Sequence, residues 1–261
     1  MRQLDPRLQQ ASAAREAGRH DEALALVRQA FTDIDGHAAP EIASHFMTMF
    51  LWETLAGEYP PARTALAEER NVQVRRLLAG EHEFLVSAPA GVFTPHRSRF
   101  AVVVRMNETL ADPGSTHALF RALADTDPEL ARRFASQALP AIVAVGDYAL
   151  ADRYRGEPLA LLDALNVNAR TLPLMPLPGQ APRVAAELMG VCSDVRIAIA
   201  VLDGLGRPGE ASVLRDALLG GLEAPALRAL AQQELVEAGS INRAIVEHQM
   251  AQQMARHAGA G

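Results

Sequence analysis

Little in this chain could staple a fold covalently or build a sheet. It has one cysteine, Cys192, which excludes an internal disulfide and any multi-cysteine metal site. Its neighbours Val191 and Val195 suit a small buried hydrophobe better than a reactive thiol. Aromatic residues make up only 5% of the chain and Val/Ile/Thr runs are rare, so there is poor material for strands. No apolar stretch approaches the roughly 20 residues of a membrane span, and the N-terminal M-R-Q-L-D-P-R-L lacks the apolar core of a signal peptide. The net charge of -6 is modest, and Arg and Glu are mixed along the chain. Without a basic stripe for a phosphate backbone, a nucleic-acid role is disfavoured. These absences describe a soluble, cytoplasmic protein, bacterial in style.

The recognisable chemistries are missing too. There is no G-x-S-x-G elbow and no G-x-x-x-x-G-K-S phosphate loop. None of the histidines (His20, His37, His45, His82, His96, His117, His248, His257) has H-x-x-x-H or H-E-x-x-H spacing. His82 lies between Glu81 and Glu83, but sequence neighbours on a helix point different ways. The glycine-rich Leu202 to Gly209 follows a helix and reads as a turn, not a dinucleotide fingerprint. Glu234, Glu237 and Glu247 could face each other in pairs, as charged helix surfaces often arrange. No catalytic residue, cofactor or metal is assigned, and the chain is expected not to be an enzyme.

What is present is abundant alanine and leucine, which favours helix. One local pattern also recurs four times. A helix-like stretch ends in a small or apolar residue plus glycine, and an alanine stands five residues after that glycine. The copies are A-G-R-H-D-E-A (Ala17 to Ala23), A-G-E-Y-P-P-A (Ala56 to Ala62), V-G-D-Y-A-L-A (Val145 to Ala151) and L-G-R-P-G-E-A (Leu205 to Ala211). Glycine ends a helix in the left-handed conformation without a side-chain clash. Alanine early in the next helix lets the two helices approach closely. The pattern predicts an all-α chain of stacked antiparallel helix hairpins.

Asp5-Pro6 opens the first helix and Asp21 the second, whose stripe is Ala23, Leu24, Val27, Ala30, Phe31 and Ile34. Pro40 opens a third with Phe46, Met49, Phe50 and Trp52, ending near Gly57, and Pro60-Pro61 a fourth. From Gly80 to Pro95 the period breaks into an apolar ordered loop. Thr94-Pro95 then starts a helix in which Ala101 to Val104 could instead be strand. Ser115 or Thr116 caps the next helix. Pro140 should kink or split the one that begins at Asp127-Pro128. Glu157-Pro158 begins a short helix to Leu165. Residues 168–182 carry four prolines and form either a polyproline-like ligand or a packed connector. Helices then run to a capping helix opened by Ser240. The expected organisation is 1–80, two hairpins; 81–167, a middle helical region; 168–182, the Pro-rich connector; and 183–258, a last hairpin with capping helices.

With these residues in place the chain resembles the tetratricopeptide repeat family, whose unit of about 34 residues is a helix hairpin with Gly at the turn and Ala early in the second helix. Gly18, Ala23, Leu24 and Ala30 stand at the family's turn, close-contact and late-helix positions. Gly57, Tyr59 and Ala62 match in the second copy, Gly146, Tyr148 and Ala151 in the third, and Gly206, Ala211 and Leu218 in the fourth. Asp35 stands where the family closes its unit with proline. The resemblance implies an α-solenoid whose first helices line a groove for a peptide or partner helix. Its register carried onto this chain implies the groove residues Arg15, Met47, Leu51, Thr54, Arg133, Ser136 and Arg196. The resulting expectation is a protein–protein adaptor. Two alternatives are a homo-oligomer such as a homodimer, joined through Phe84 to Phe93 or the connector, and an enzyme or small-molecule sensor with a pocket between two halves.

Overall fold

A computed structural model describes residues 5–35, 42–85, 97–177 and 179–258. Pro40 and Thr94-Pro95, two of the expected helix starts, lie outside them. The described residues are overwhelmingly helical and divide into two compact units, Met1–Ala141 and Ile142–Gly261.

The first unit holds α1 (Pro6–Glu16), α2 (His20–Ile34), α3 (Ile42–Glu58), α4 (Pro60–Leu78), β1 (Glu83–Leu85), β2 (Arg97–Ser98), α5 (Arg99–Leu110), α6 (Pro113–Thr126) and most of α7 (Pro128–Ala144). α1 packs on α2, α3 on α4, and α4 on α5. β1 and β2 form a small antiparallel pair, an element the composition did not lead us to expect. Ala101–Val104 is helix, inside α5. Pro140 does not split α7, which continues through it. It has no N–H, however, and so leaves the Ser136 carbonyl without its usual helical donor. The N-cap of α6 is Asp112, which accepts from the Ser115 N–H at 3.0 Å, and not Ser115 or Thr116.

The core of this unit surrounds the only tryptophan, Trp52, which is fully buried. Its indole N–H donates to the Ala62 carbonyl at 3.1 Å, and Phe31 meets the ring edge-on at 5.5 Å. Beside this core lies a buried polar cluster. Arg99 on α5 is 1% exposed. It donates to Asp35 Oδ1 at 3.0 Å, to the Glu81 carbonyl at 2.8 Å, to the Glu83 carbonyl at 3.0 Å, and to Gln73 Oε1. Asp35 also accepts from Gln73 Nε2 at 2.8 Å and from Arg76. One guanidinium thus ties the end of α2, α4 and the segment around β1 to α5.

The second unit holds α8 (Tyr148–Tyr154), α9 (Leu162–Thr171), α10 (Arg183–Gly204), α11 (Pro208–Gly221), α12 (Pro225–Val236) and α13 (Ser240–Ala258). α10 is its hub and touches α8, α9, α11, α12 and α13. That position explains its apolar makeup, with Val184, Leu188, Val191, Cys192, Val195 and Val201 all buried. α9 extends to Thr171, so the proline-rich break starts at Leu172 and not at residue 168. Leu172, Leu174 and Met175 of the connector pack against the unit's core, the arrangement of a packed connector.

The four hairpin alanines, Ala23, Ala62, Ala151 and Ala211, are all buried. Gly18, Gly146 and Gly206 take positive φ. Each closes its helix with paired return hydrogen bonds, as in Gly18 N to the Arg15 carbonyl at 2.9 Å and Arg19 N to the Ala14 carbonyl at 2.8 Å. Gly57 is the exception: α3 runs through it to Glu58. The break comes instead at Tyr59, because Pro60 drives the residue before it out of the helical region.

Both pattern tyrosines reach the turn of another hairpin. Tyr59 meets His20 edge-on at 5.3 Å and donates its hydroxyl to Asp21 at 2.6 Å. The Tyr148 ring lies on Gly204, where an added Cβ would come within 2.3 Å of it. Gly204→Ala should therefore cost about 1–3 kcal/mol. Truncating the ring with Tyr148→Ala should make the glycine substitution nearly neutral, so a double-mutant cycle by urea denaturation should show strong coupling. Additive losses would mean that the ring and the glycine do not meet.

Candidate functional site

The sequence contains no lysine, so all 25 basic residues are arginine and every side-chain cation for a carboxylate is a planar fork. Most of these arginines are already engaged within the chain. Two grooves stand out in what remains.

The first lies wholly within the first unit, between α3, α5 and α7, with a volume of about 590 Å³. Phe46 and Phe50, one turn apart on α3, form its apolar lip. Their rings stack at 6.3 Å with 14° between planes, yet Phe46 is 63% and Phe50 50% exposed. Met49 and Val104 lie beneath them, buried. Leaving two phenylalanines in water forgoes burial worth roughly 1.5–3 kcal/mol each. Such an exposed aromatic pair beside a cavity is the usual mark of a surface that something covers.

The polar edge of this groove is unequal in charge. Arg105 pairs with Glu53 and lies 3.4 Å from Glu108, so it is neutralised. Arg97 is not: among the described residues no carboxylate forms an ion pair with it. Its guanidinium instead meets His45 Nε2 at 3.1 Å. Partial burial, and the like charge of Arg105, hold Arg97 below the ordinary arginine range. His45 is buried beneath it, and burial together with the charge of Arg97 lowers its pKa to about 4. The imidazole is therefore neutral near pH 7. With Nε2 accepting from Arg97, the proton belongs on Nδ1, which is buried without a partner. On the opposite wall Gln137 Oε1 is also buried without a partner. Ser136 and Pro140 complete that wall.

The second groove, about 640 Å³ between α12 and α13, is lined largely by polar side chains. Of its three charged residues, Glu237 and Arg243 satisfy each other at 2.7 Å, and Glu247 stands beside them.

The residues implied by the repeat register are placed unevenly. Ser136 lines the first groove and Arg133 is exposed on the same helix. Leu51 is a correction: it is 3% exposed and belongs to the core, so it offers nothing to a ligand. Met47 is partly buried against that core. Thr54 returns its hydroxyl to the Phe50 carbonyl at 2.8 Å. Arg15 is held by Glu58 at 2.9 Å. Arg196 lies in the second unit, 3.8 Å from Glu234. The residues missed were Phe46, Phe50 and Arg97. The first two were visible as apolar positions on the third helix, without any sign that they stay exposed.

The carboxylates named earlier do not form a site. Glu234 is a helix cap: it accepts from the N–H groups of Gly239 at 2.8 Å and Ile241 at 3.0 Å and from the Ser240 hydroxyl at 3.1 Å. Burial opposes its ionisation, but these hydrogen bonds outweigh it and keep its pKa low. Cys192 is fully buried, and burial pushes its thiol up to about 12, which makes it inert. Phe84 is also fully buried in the first unit's core, so it has no face left for a second copy. Residues 86–93 of that segment lie outside the described residues. No group of three or more His, Cys, Asp or Glu that could hold a metal occurs among the described residues, and no described helix is long and apolar enough to cross a membrane. No family model, curated protein or solved structure matches the chain at a significant level.

Proposed function

We propose that this protein is a non-enzymatic cytoplasmic adaptor that holds a peptide or partner helix of another protein in the groove between α3, α5 and α7. The observation that carries this reading is the exposed, stacked Phe46–Phe50 pair at the lip of that groove. An apolar anchor from a partner would cover the two rings and exclude water from Met49, the arrangement in which binding energy concentrates.

The build we propose for the chain is a tetratricopeptide-like stack of hairpins that departs from a nearest-neighbour array in the second unit, where five helices share α10. Supporting it are the buried alanine at each hairpin and the tyrosines that bring one turn onto another, Tyr59 to His20 and Asp21, Tyr148 to Gly204. Arg15 to Glu58 and Arg207 to Asp152 add ion pairs between turns, at 2.9 and 3.9 Å. Such stacking fixes helix faces rigidly, and rigidity lowers the cost of ordering a bound peptide.

A displayed library of random short peptides, selected on the immobilised protein, tests the reading. Enriched peptides should carry an aromatic or large aliphatic residue, and Phe46→Asp with Phe50→Asp should abolish their binding while leaving Trp52 emission and the melting temperature intact. A library that yields nothing above the blank support, or binders indifferent to the double substitution, would remove this groove as the docking site.

A further inference from the structure

We infer that the α3/α5/α7 groove selects for a carboxylate beside its apolar anchor, so that the partner is an acidic amphipathic peptide read by Arg97. This rests on the adaptor reading above and adds the chemistry of the partner to it.

Arg97 is the groove's uncommitted charge. Its neighbour Arg105 is paired with Glu53 and Glu108, whereas Arg97 has no ion-pair partner among the described residues and hydrogen-bonds to a neutral imidazole, His45. Arg97 is exposed, and the carboxylates of this edge lie on Arg105 instead. His45 Nε2 occupies one face of the guanidinium and leaves the other N–H groups of a five-donor fork for an incoming oxygen pair. An imidazole kept neutral by burial positions the guanidinium without cancelling its charge.

The far wall, Ser136, Gln137 and Pro140 on α7, carries no charge. A peptide that gives a carboxylate to Arg97 and an apolar side chain to Phe46 and Phe50 would satisfy both features at once. A basic peptide would bring a like charge to Arg97, and a purely apolar one would cover Arg97 with nothing to pair it.

The test repeats the peptide selection on the wild type and on Arg97→Glu. Wild-type binders should carry Asp or Glu within a turn of the apolar anchor, and the Arg97→Glu selection should lose that preference or exchange it for Lys or Arg. The best wild-type peptide, resynthesised with its Glu as Gln, should bind at least about tenfold more weakly by fluorescence anisotropy. That loss should vanish on Arg97→Glu. If Arg97→Glu alters Trp52 emission, Arg97→Gln replaces it and should weaken the acidic peptide by the same factor. Binders that need Phe46 and Phe50 but ignore the charge at position 97 would overturn this inference and leave the adaptor standing. Absence of any binder would overturn both. A dimer in light scattering that Phe46→Asp dissociates would assign the groove to a second copy and overturn the acidic-peptide inference.

Discussion

Arg99→Met should lose about 3–5 kcal/mol of stability, more than any other single side-chain replacement we expect in this chain. The side chain is 1% exposed and its guanidinium serves four acceptors on three segments. Methionine fills much of the stem's volume, so the loss comes from the partners left behind. Gln73 Oε1 and the Glu81 and Glu83 carbonyls lose their Arg99 donor inside the protein, and Asp35 keeps only Arg76 and the Gln73 amide. Small proteins have about 5–15 kcal/mol in total, so the first unit would sit near its threshold. Urea denaturation followed by Trp52 emission reads this directly. Arg170→Met is the control: its Glu223 pair is solvent-exposed on both sides and should count for less than about 1 kcal/mol. Equal, small losses for the two arginines would mean that the Arg99 cluster carries no net stabilisation.

His45 should make the first unit sensitive to mild acid. Its folded pKa, about 4, lies below the ordinary histidine value of 6.5. The folded state therefore binds this proton later than the unfolded chain does. The stability that comes from keeping the ring neutral is complete above about pH 6.5 and is lost as pH falls towards 4. A displacement of this size corresponds to roughly 3 kcal/mol across that window. Glu234 works in the same direction but lower down, since a depressed carboxylate loses its contribution only below the ordinary glutamate range. His45→Gln removes the titrating ring and keeps a hydrogen-bonding group. Unfolding free energies measured from pH 7 to pH 4 should fall more steeply for the wild type than for the variant, with most of the difference appearing between pH 6.5 and 4. Parallel curves would show that His45 protonates in place without penalty.

The two halves of the problem were unequally legible. Hairpin positions were local: a glycine, a turn and an alanine lie within seven residues, and the buried Ala23, Ala62, Ala151 and Ala211 follow from that spacing. Gly57 misled because proline at 60 outranked it, a rule that is also local and was available. The groove was not local. Phe46, Met49, Phe50 and Trp52 share one apolar helix, and which of them stays wet depends on where α5 and α7 arrive. A repeat register pointed to Leu51, which turns inward, and passed over Arg97, which sits in a two-residue strand that composition gave no reason to expect. Asp35 was noticed only as a departure from the repeat, in place of a proline. It is the anchor of the buried arginine cluster, and its partner Arg99 lies 64 residues away.

The central place of α10 sets how the second unit can come apart. An array in which each segment leans only on its neighbours frays from an end, one segment at a time. Five helices that all rest on a single rod have no such order of release. Losing the rod dismantles the unit as a whole, so this part of the chain should melt in one sharp step rather than by progressive peeling.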